Sequence, residues 1–123
     1  MKYGQELIID LHDANPQKFS RESIRDFCEE MCFDILDVSP EVLHFWDDEG
    51  LPEDQKQTDP KKKGTTAIQF LLTSNITIHT LDTLKAVYIN VFVCREFDSE
   101  GCFHFAREFF EARVAQVKLI DRL

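Results

Sequence analysis

Apolar residues recur along the chain with two different periods, and each period predicts one kind of element. Residues 6–11, ELIIDL, form a short apolar run that predicts a first strand. Over residues 20–36 the apolar positions are three and four apart, which is typical of an amphipathic helix with Ser20 as its N-cap. The later segments are predicted as strands at 41–48, 65–72, 76–81 and 86–94, a helix at 99–112 and a last strand at 114–123.

This order of elements predicts one domain over residues 1–123 with an α+β fold. We expect a two-layer sandwich of a mainly antiparallel sheet with two helices on one face. Strand 86–94, AVYINVFVC, alternates with a period of two but is largely apolar on both sides, so both sides need cover. Because the helices cover one face, we expect the other face to pack against a second copy, giving a homodimer.

A long polar segment at 49–63 interrupts the pattern between the second and third strands. It contains Pro52, Pro60 and the basic run KKK at 61–63, which we interpret as a solvated loop tip. Loops longer than about 12 residues in compact domains are often functional or mobile.

Composition narrows the classes of partner. The chain has 123 residues, 43% of them hydrophobic, and a formal charge of −9. Nucleic acids and anionic membranes favour basic surfaces, so we expect neither as a main partner. No apolar run reaches the roughly 20 residues of a membrane span, and the N-terminus lacks a secretory pattern, so we expect a cytoplasmic protein.

The four cysteines should then be reduced. Cys28 and Cys32 are four residues apart on one predicted helix, but no second Cys or His pair with metal-ligand spacing accompanies them, so no metal site is predicted.

Candidate chemistry lies on three successive predicted strands. Residues 71–80, LLTSNITIHT, read as two β-branched runs joined by a tight turn that includes Ser74. Thr66, Ser74, His79 and Cys94 would converge near one end of an antiparallel sheet. Each also has a purely structural explanation, because Ser is a common turn former, Thr favours strands, and His and Cys are often partly or fully buried.

These residues carry a resemblance to a known family. LLTSNITIHT is similar to the processing segment of the short bacterial and archaeal S-adenosylmethionine decarboxylases, which are pyruvoyl-dependent enzymes of spermidine synthesis. GQELIIDLHDAN resembles the opening strand of that family, and YINVFVC resembles its later strand that ends in cysteine.

The resemblance implies roles for particular residues. Ser74 matches the serine whose hydroxyl attacks the preceding carbonyl, here that of Thr73, and which becomes a pyruvoyl group, so that no external cofactor is needed. His79 matches the histidine that helps this processing, and Thr66 stands where the family has a serine that assists it. Cys94 matches the cysteine that reprotonates the product carbanion, a step for which a thiol is a reasonable proton donor.

Several positions depart from the family pattern. Thr73 replaces a glutamate, Asn75 a histidine, and Thr83 a glutamate suited to bind the ribose of the substrate. Trp46 is the candidate aromatic residue for stacking on adenine.

Two functional hypotheses follow, beside a third in which the domain is dimeric and binds no ligand. The first is a decarboxylase acting on S-adenosylmethionine or on a smaller amino acid such as arginine or ornithine. The second is an unprocessed, inactive relative that acts as a binding or regulatory partner, for example in a heterodimer with an active paralogue.

Overall fold

A computed structural model describes residues 1–123 and contains six strands and two α-helices. In chain order they are β1 (Gly4–His12), α1 (Arg21–Glu30), β2 (Pro40–Trp46), β3 (Gly64–Leu71), β4 (Ser74–Leu81), β5 (Ala86–Val93), α2 (Ser99–Phe109) and β6 (Arg113–Arg122). The strands form one sheet in the order β2-β3-β4-β5-β1-β6, and every neighbouring pair is antiparallel. The predicted α+β fold is confirmed.

Local hydrogen bonds set the helix starts. The Ser20 hydroxyl accepts from the Ser23 amide at 3.1 Å, which confirms the predicted N-cap. Asp98 caps α2 in the same way, accepting from the Gly101 amide at 2.9 Å. Neither helix is long and apolar enough to cross a membrane.

The helix predicted over residues 20–36 changes its form partway. After α1 the chain continues as a π-helical segment, Met31–Leu36, and ends at Asp37 in the left-handed region with φ 55°. Met31, Cys32 and Leu36 of this segment are buried in the core.

The core lies between the two helices and one face of the sheet. Phe27 of α1 is fully buried, with ring centroids 5.0 Å from Phe110 and 5.2 Å from Phe105. Removing such a ring typically costs about 3–5 kcal/mol of unfolding free energy. From the sheet the core receives alternate side chains, including Leu7, Ile9, Leu11, Ile76, Ile78, Val87, Ile89 and Val91.

The opposite side of the sheet, which we call the open face, carries no helix and is chemically mixed. From β5 it receives Tyr88, Asn90 and Phe92, all half-buried. The Asn90 side-chain nitrogen Nδ2 donates to the Glu6 carboxylate on the adjacent strand at 3.0 Å. The open face is therefore less uniformly apolar than strand 86–94 suggested, and the homodimer stays a prediction.

The segment predicted as a long loop is closed at its base. Lys63 Nζ lies 2.8 Å from Asp48 Oδ2, and the Gln57 amide donates to the same oxygen at 2.9 Å. A single 3-10 turn, Glu53–Gln55, lies within it. These contacts hold the two ends of the segment together where β2 passes to β3.

Candidate active site

The β3–β4 hairpin presents a strained turn at the predicted processing bond. Leu71 pairs with Ser74, so only Leu72 and Thr73 connect the two strands. Thr73 has φ 63°, in the left-handed region that β-branched residues rarely adopt. Such conformations cost about 1–3 kcal/mol and persist where the surrounding structure enforces them.

Cys94, just after β5, faces this turn. Its sulfur lies 3.4 Å from the Thr73 hydroxyl, and its backbone amide donates to the Ser74 hydroxyl oxygen at 3.3 Å. The hydrogen bond with Thr73 is the main cause that lowers the pKa of the Cys94 thiol below its ordinary value. Burial, the next cause in size, opposes this, while the Ser74 hydroxyl and the Arg95 charge reinforce it. The fold thus brings Thr73, Ser74 and Cys94 together.

The other three cysteines differ from Cys94 in environment. All three are fully buried, and burial is the main cause that raises their pKa values: to about 12 for Cys28, about 11 for Cys32 and about 12 for Cys102. Thiolate chemistry at neutral pH therefore favours Cys94. No three His, Cys, Asp or Glu side chains are grouped as metal ligands.

Thr66 and His79 form a second group on the open face. They are directly opposite each other on β3 and β4, and Thr66 Oγ1 lies 2.8 Å from His79 Nδ1. The sheet register extends this pair into a row across the face: Trp46, Thr66, His79, Tyr88 and Asp10. Trp46, at one end of the row, is 63% exposed.

The two groups do not meet within one chain, which corrects the expected convergence. Ser74 and His79 are five residues apart on one extended strand, which is roughly 17 Å at about 3.4 Å per residue, and an odd separation puts their side chains on opposite sides. Ser74 begins β4 at the hairpin, whereas His79 lies near its other end. The length of β4 between these two residues keeps the two groups apart.

Tyr88 and Asp10 belong to the row but were not predicted from the sequence. The signal that could have found them is the cross-strand register opposite His79, which depends on the β4–β5 turn. Tyr88 also borders a cleft of about 290 Å³, whose other lining residues are His12, Asp13, Leu84, Ala86 and Arg113. Thr83 lies in the exposed turn between β4 and β5.

Together the fold and this geometry define a two-layer α+β protein with a hydroxyl–thiol contact at a strained hairpin. The model of the S-adenosylmethionine decarboxylase family matches residues 5–123. The chain belongs to the S-adenosylmethionine decarboxylase family.

A solved structure supports the fold independently. The chain is similar to the adenosylmethionine decarboxylase from Aquifex aeolicus, with 19% identity, a TM-score of 0.73, and coverage of 98% of this chain and 91% of that one. None of the curated proteins matches the chain.

Proposed function

We propose that the protein is an S-adenosylmethionine decarboxylase-like enzyme of polyamine biosynthesis that cleaves itself between Thr73 and Ser74. The observation that carries this proposal is the strained hairpin, in which Ser74 follows a left-handed Thr73 and contacts Cys94. Family members generally depend on a pyruvoyl group, which in this chain would come from Ser74.

Self-cleavage needs only groups of the chain and one water. The Ser74 hydroxyl attacks the Thr73 carbonyl carbon, the peptide C–N bond breaks, and an ester forms. Loss of the Ser74 α-proton and cleavage of its Cβ–O bond release the Thr73 carboxylate, and water then displaces ammonia. Strain at Thr73 favours this reaction because breaking the peptide bond relieves it.

The residues around Ser74 fit a pyruvoyl group. The Cys94 amide donates to the Ser74 hydroxyl oxygen, which leaves with the Thr73 carboxylate, so this N–H would lose its present partner and would be available to bind a pyruvoyl oxygen. The Cys94 thiol lies beside the same turn. When present, the pyruvoyl carbonyl supplies an electron sink for decarboxylation. Cys94 would hold the proton that is returned to the product carbon, and its weakened proton affinity makes that transfer easier near neutral pH.

In a homodimer, His79 of one copy would reach the processing bond of the other copy, which it does not reach within its own chain. The contact of Cys94 with Thr73 and the Thr66–His79 pair lie toward opposite ends of the open face. In a two-fold symmetric contact, if residue i of one copy meets residue j of the other, then j also meets i. Two open faces packed in this way can therefore place one end of each face against the opposite end of the other. The Thr66–His79 pair of one copy then lies near the Thr73–Cys94 contact of the other, beside the bond between Thr73 and Ser74, where it assists processing.

Intact mass spectrometry of purified, untagged protein during prolonged incubation tests the proposal. We expect two fragments divided between Thr73 and Ser74, the second lighter than a serine-started chain by the elements of ammonia. Ser74→Ala is the control and should stay whole. A single undivided mass for the wild-type chain would contradict self-processing.

The substrate is S-adenosylmethionine or a smaller amino acid such as arginine or ornithine. Trp46 is exposed beside the Thr66–His79 pair and offers a ring for stacking on adenine, but Thr83 brings no carboxylate to bind ribose. Thr83→Glu should therefore tighten S-adenosylmethionine binding in calorimetry. Unchanged affinity would count against the assignment of Thr83.

The alternative is an inactive family member that binds a partner, such as an active paralogue in a heterodimer. The favouring observation is that Thr73 brings a hydroxyl, and no carboxylate, to the hairpin while His79 lies far from Ser74 in the same chain. Under this alternative, Ser74→Ala leaves partner binding unchanged.

A further inference from the structure

Arg95, the residue after Cys94, binds the end of the π-helical segment Met31–Leu36. One terminal nitrogen of its guanidinium donates to the Leu36 carbonyl and the other to the Glu96 carbonyl at 3.0 Å. Leu36 is the last residue of the π-helical segment, where backbone carbonyls lack helical partners and carry partial negative charge.

These bonds hold the Cys94 backbone from its C-terminal side. On the other side Cys94 continues β5, and its amide is bonded to Ser74. Glu96 is held in turn by Lys2, whose Nζ lies 2.6 Å from Glu96 Oε1. The chain is therefore tied down on both sides of the thiol, by contacts between segments far apart in the sequence.

We propose that Arg95 is a positioning residue for Cys94. Its guanidinium holds residues 94–96 against the end of the π-helical segment and keeps the thiol directed at Thr73 and Ser74, with a positive charge beside it. The part of this inference that concerns turnover rests on the proposed function, whereas the part that concerns the thiol does not.

The bonding pattern calls for arginine and not merely for a cation. Two carbonyl oxygens from different segments are bonded at once by two nitrogens of one planar group. A lysine ammonium is a single point on a flexible stem and does not reproduce this fork. Arg95→Lys therefore separates the charge from the geometry.

Alkylation by iodoacetamide across pH, followed at Cys94 by peptide-resolved mass spectrometry, tests the inference. The other cysteines are fully buried and serve as internal references. For Arg95→Met we expect alkylation at pH 7.5 to slow about threefold, the size of an exposed charge effect, with the midpoint of the profile moved to higher pH. Arg95→Lys should fall between Arg95→Met and wild type.

Arg107→Met is the matched control, because it removes the same charge from α2, where the Arg107 guanidinium forms one long ion pair, with its neighbour Glu108 at 3.9 Å. It should leave the Cys94 profile unchanged. An unchanged midpoint in Arg95→Met would overturn the inference, and so would full rescue by Arg95→Lys, because charge alone would then suffice. If Arg95→Met does not fold, Arg95→Gln, which keeps an amide donor, is judged by the same shift.

The cleaved enzyme gives a second readout. Arg95→Met should lower kcat with KM unchanged and leave self-cleavage intact. An equal loss in kcat and gain in KM would contradict a role through Cys94. Because alkylation is measured on intact and cleaved chains separately, a chain that never cleaves still tests the positioning role while refuting the proposed self-processing.

Discussion

Replacement of Thr66 by valine isolates the hydrogen bond that orients His79. Valine keeps the β-branched shape of threonine but loses the hydroxyl that lies 2.8 Å from His79 Nδ1. A hydrogen bond of this kind contributes about 1 kcal/mol net. If the whole of that orientation acts in self-cleavage, the rate should fall about fivefold.

Cleavage is followed by intact mass spectrometry over a time course, and stability by thermal unfolding. Loss of about 1 kcal/mol should lower the Tm by only about 4 °C in a chain of this size, so slower cleavage would not reflect unfolding. Thr66→Ser keeps the hydroxyl and should cleave at nearly the wild-type rate. Thr77→Val, on the same face of β4 but outside the pair, is the matched control.

Cleavage of Thr66→Val at the wild-type rate would refute the argument that the Thr66–His79 pair assists self-cleavage. A double-mutant cycle with His79→Phe provides an independent check, since residues in contact show coupling of about 0.5–3 kcal/mol in unfolding free energy. Zero coupling would mean that the pair contributes nothing as a pair.

Three further changes test other parts of the structure. Cys94→Ala should leave self-cleavage intact but impair decarboxylation, and full turnover without this thiol would contradict its role as proton donor. Gly4→Ala should lower the unfolding free energy measured in urea by at least about 2 kcal/mol, because a Cβ there would lie 2.1 Å from the Val93 carbonyl oxygen and must displace backbone. The pKa of Asp47 is lowered, mainly by its hydrogen bonds with Arg21. The stabilisation that Asp47 contributes is therefore fully present above the pKa of the unfolded state and is lost as the pH falls through the lower pKa of the folded state. Arg21→Met should therefore make the free energy of unfolding fall less steeply with pH below about pH 4. An unchanged pH dependence would show that the Arg21–Asp47 pair does not contribute to it.

Features set by local sequence were predictable. The Ser20 cap depends on a hydrogen bond to a residue three positions on, and the strand and helix periods are read within a few residues. The change to a π-helical turn after Glu30 was not predictable, because the apolar spacing typical of an α-helix continues through Met31 and Cys32, which are both buried.

The candidate site was predictable in its membership but not in its arrangement. Thr73, Ser74 and Cys94 meet because the β3–β4 hairpin and the C-terminal end of β5 lie at the same end of the sheet, as the strand order implied. The row through Tyr88 and the tie from Arg95 to Leu36 join residues far apart in the sequence, and only the register and the helix packing determine them.

Scission at the β3–β4 hairpin would divide the chain without dividing the sheet. Residues 1–73 supply β1, β2 and β3, whereas residues 74–123 supply β4, β5 and β6. Since β1 lies between β5 and β6, neither piece can form the sheet by itself. The two pieces would thus behave as complementary halves of a split protein, which could be expressed separately and joined to a reporter whose signal depends on their reassembly.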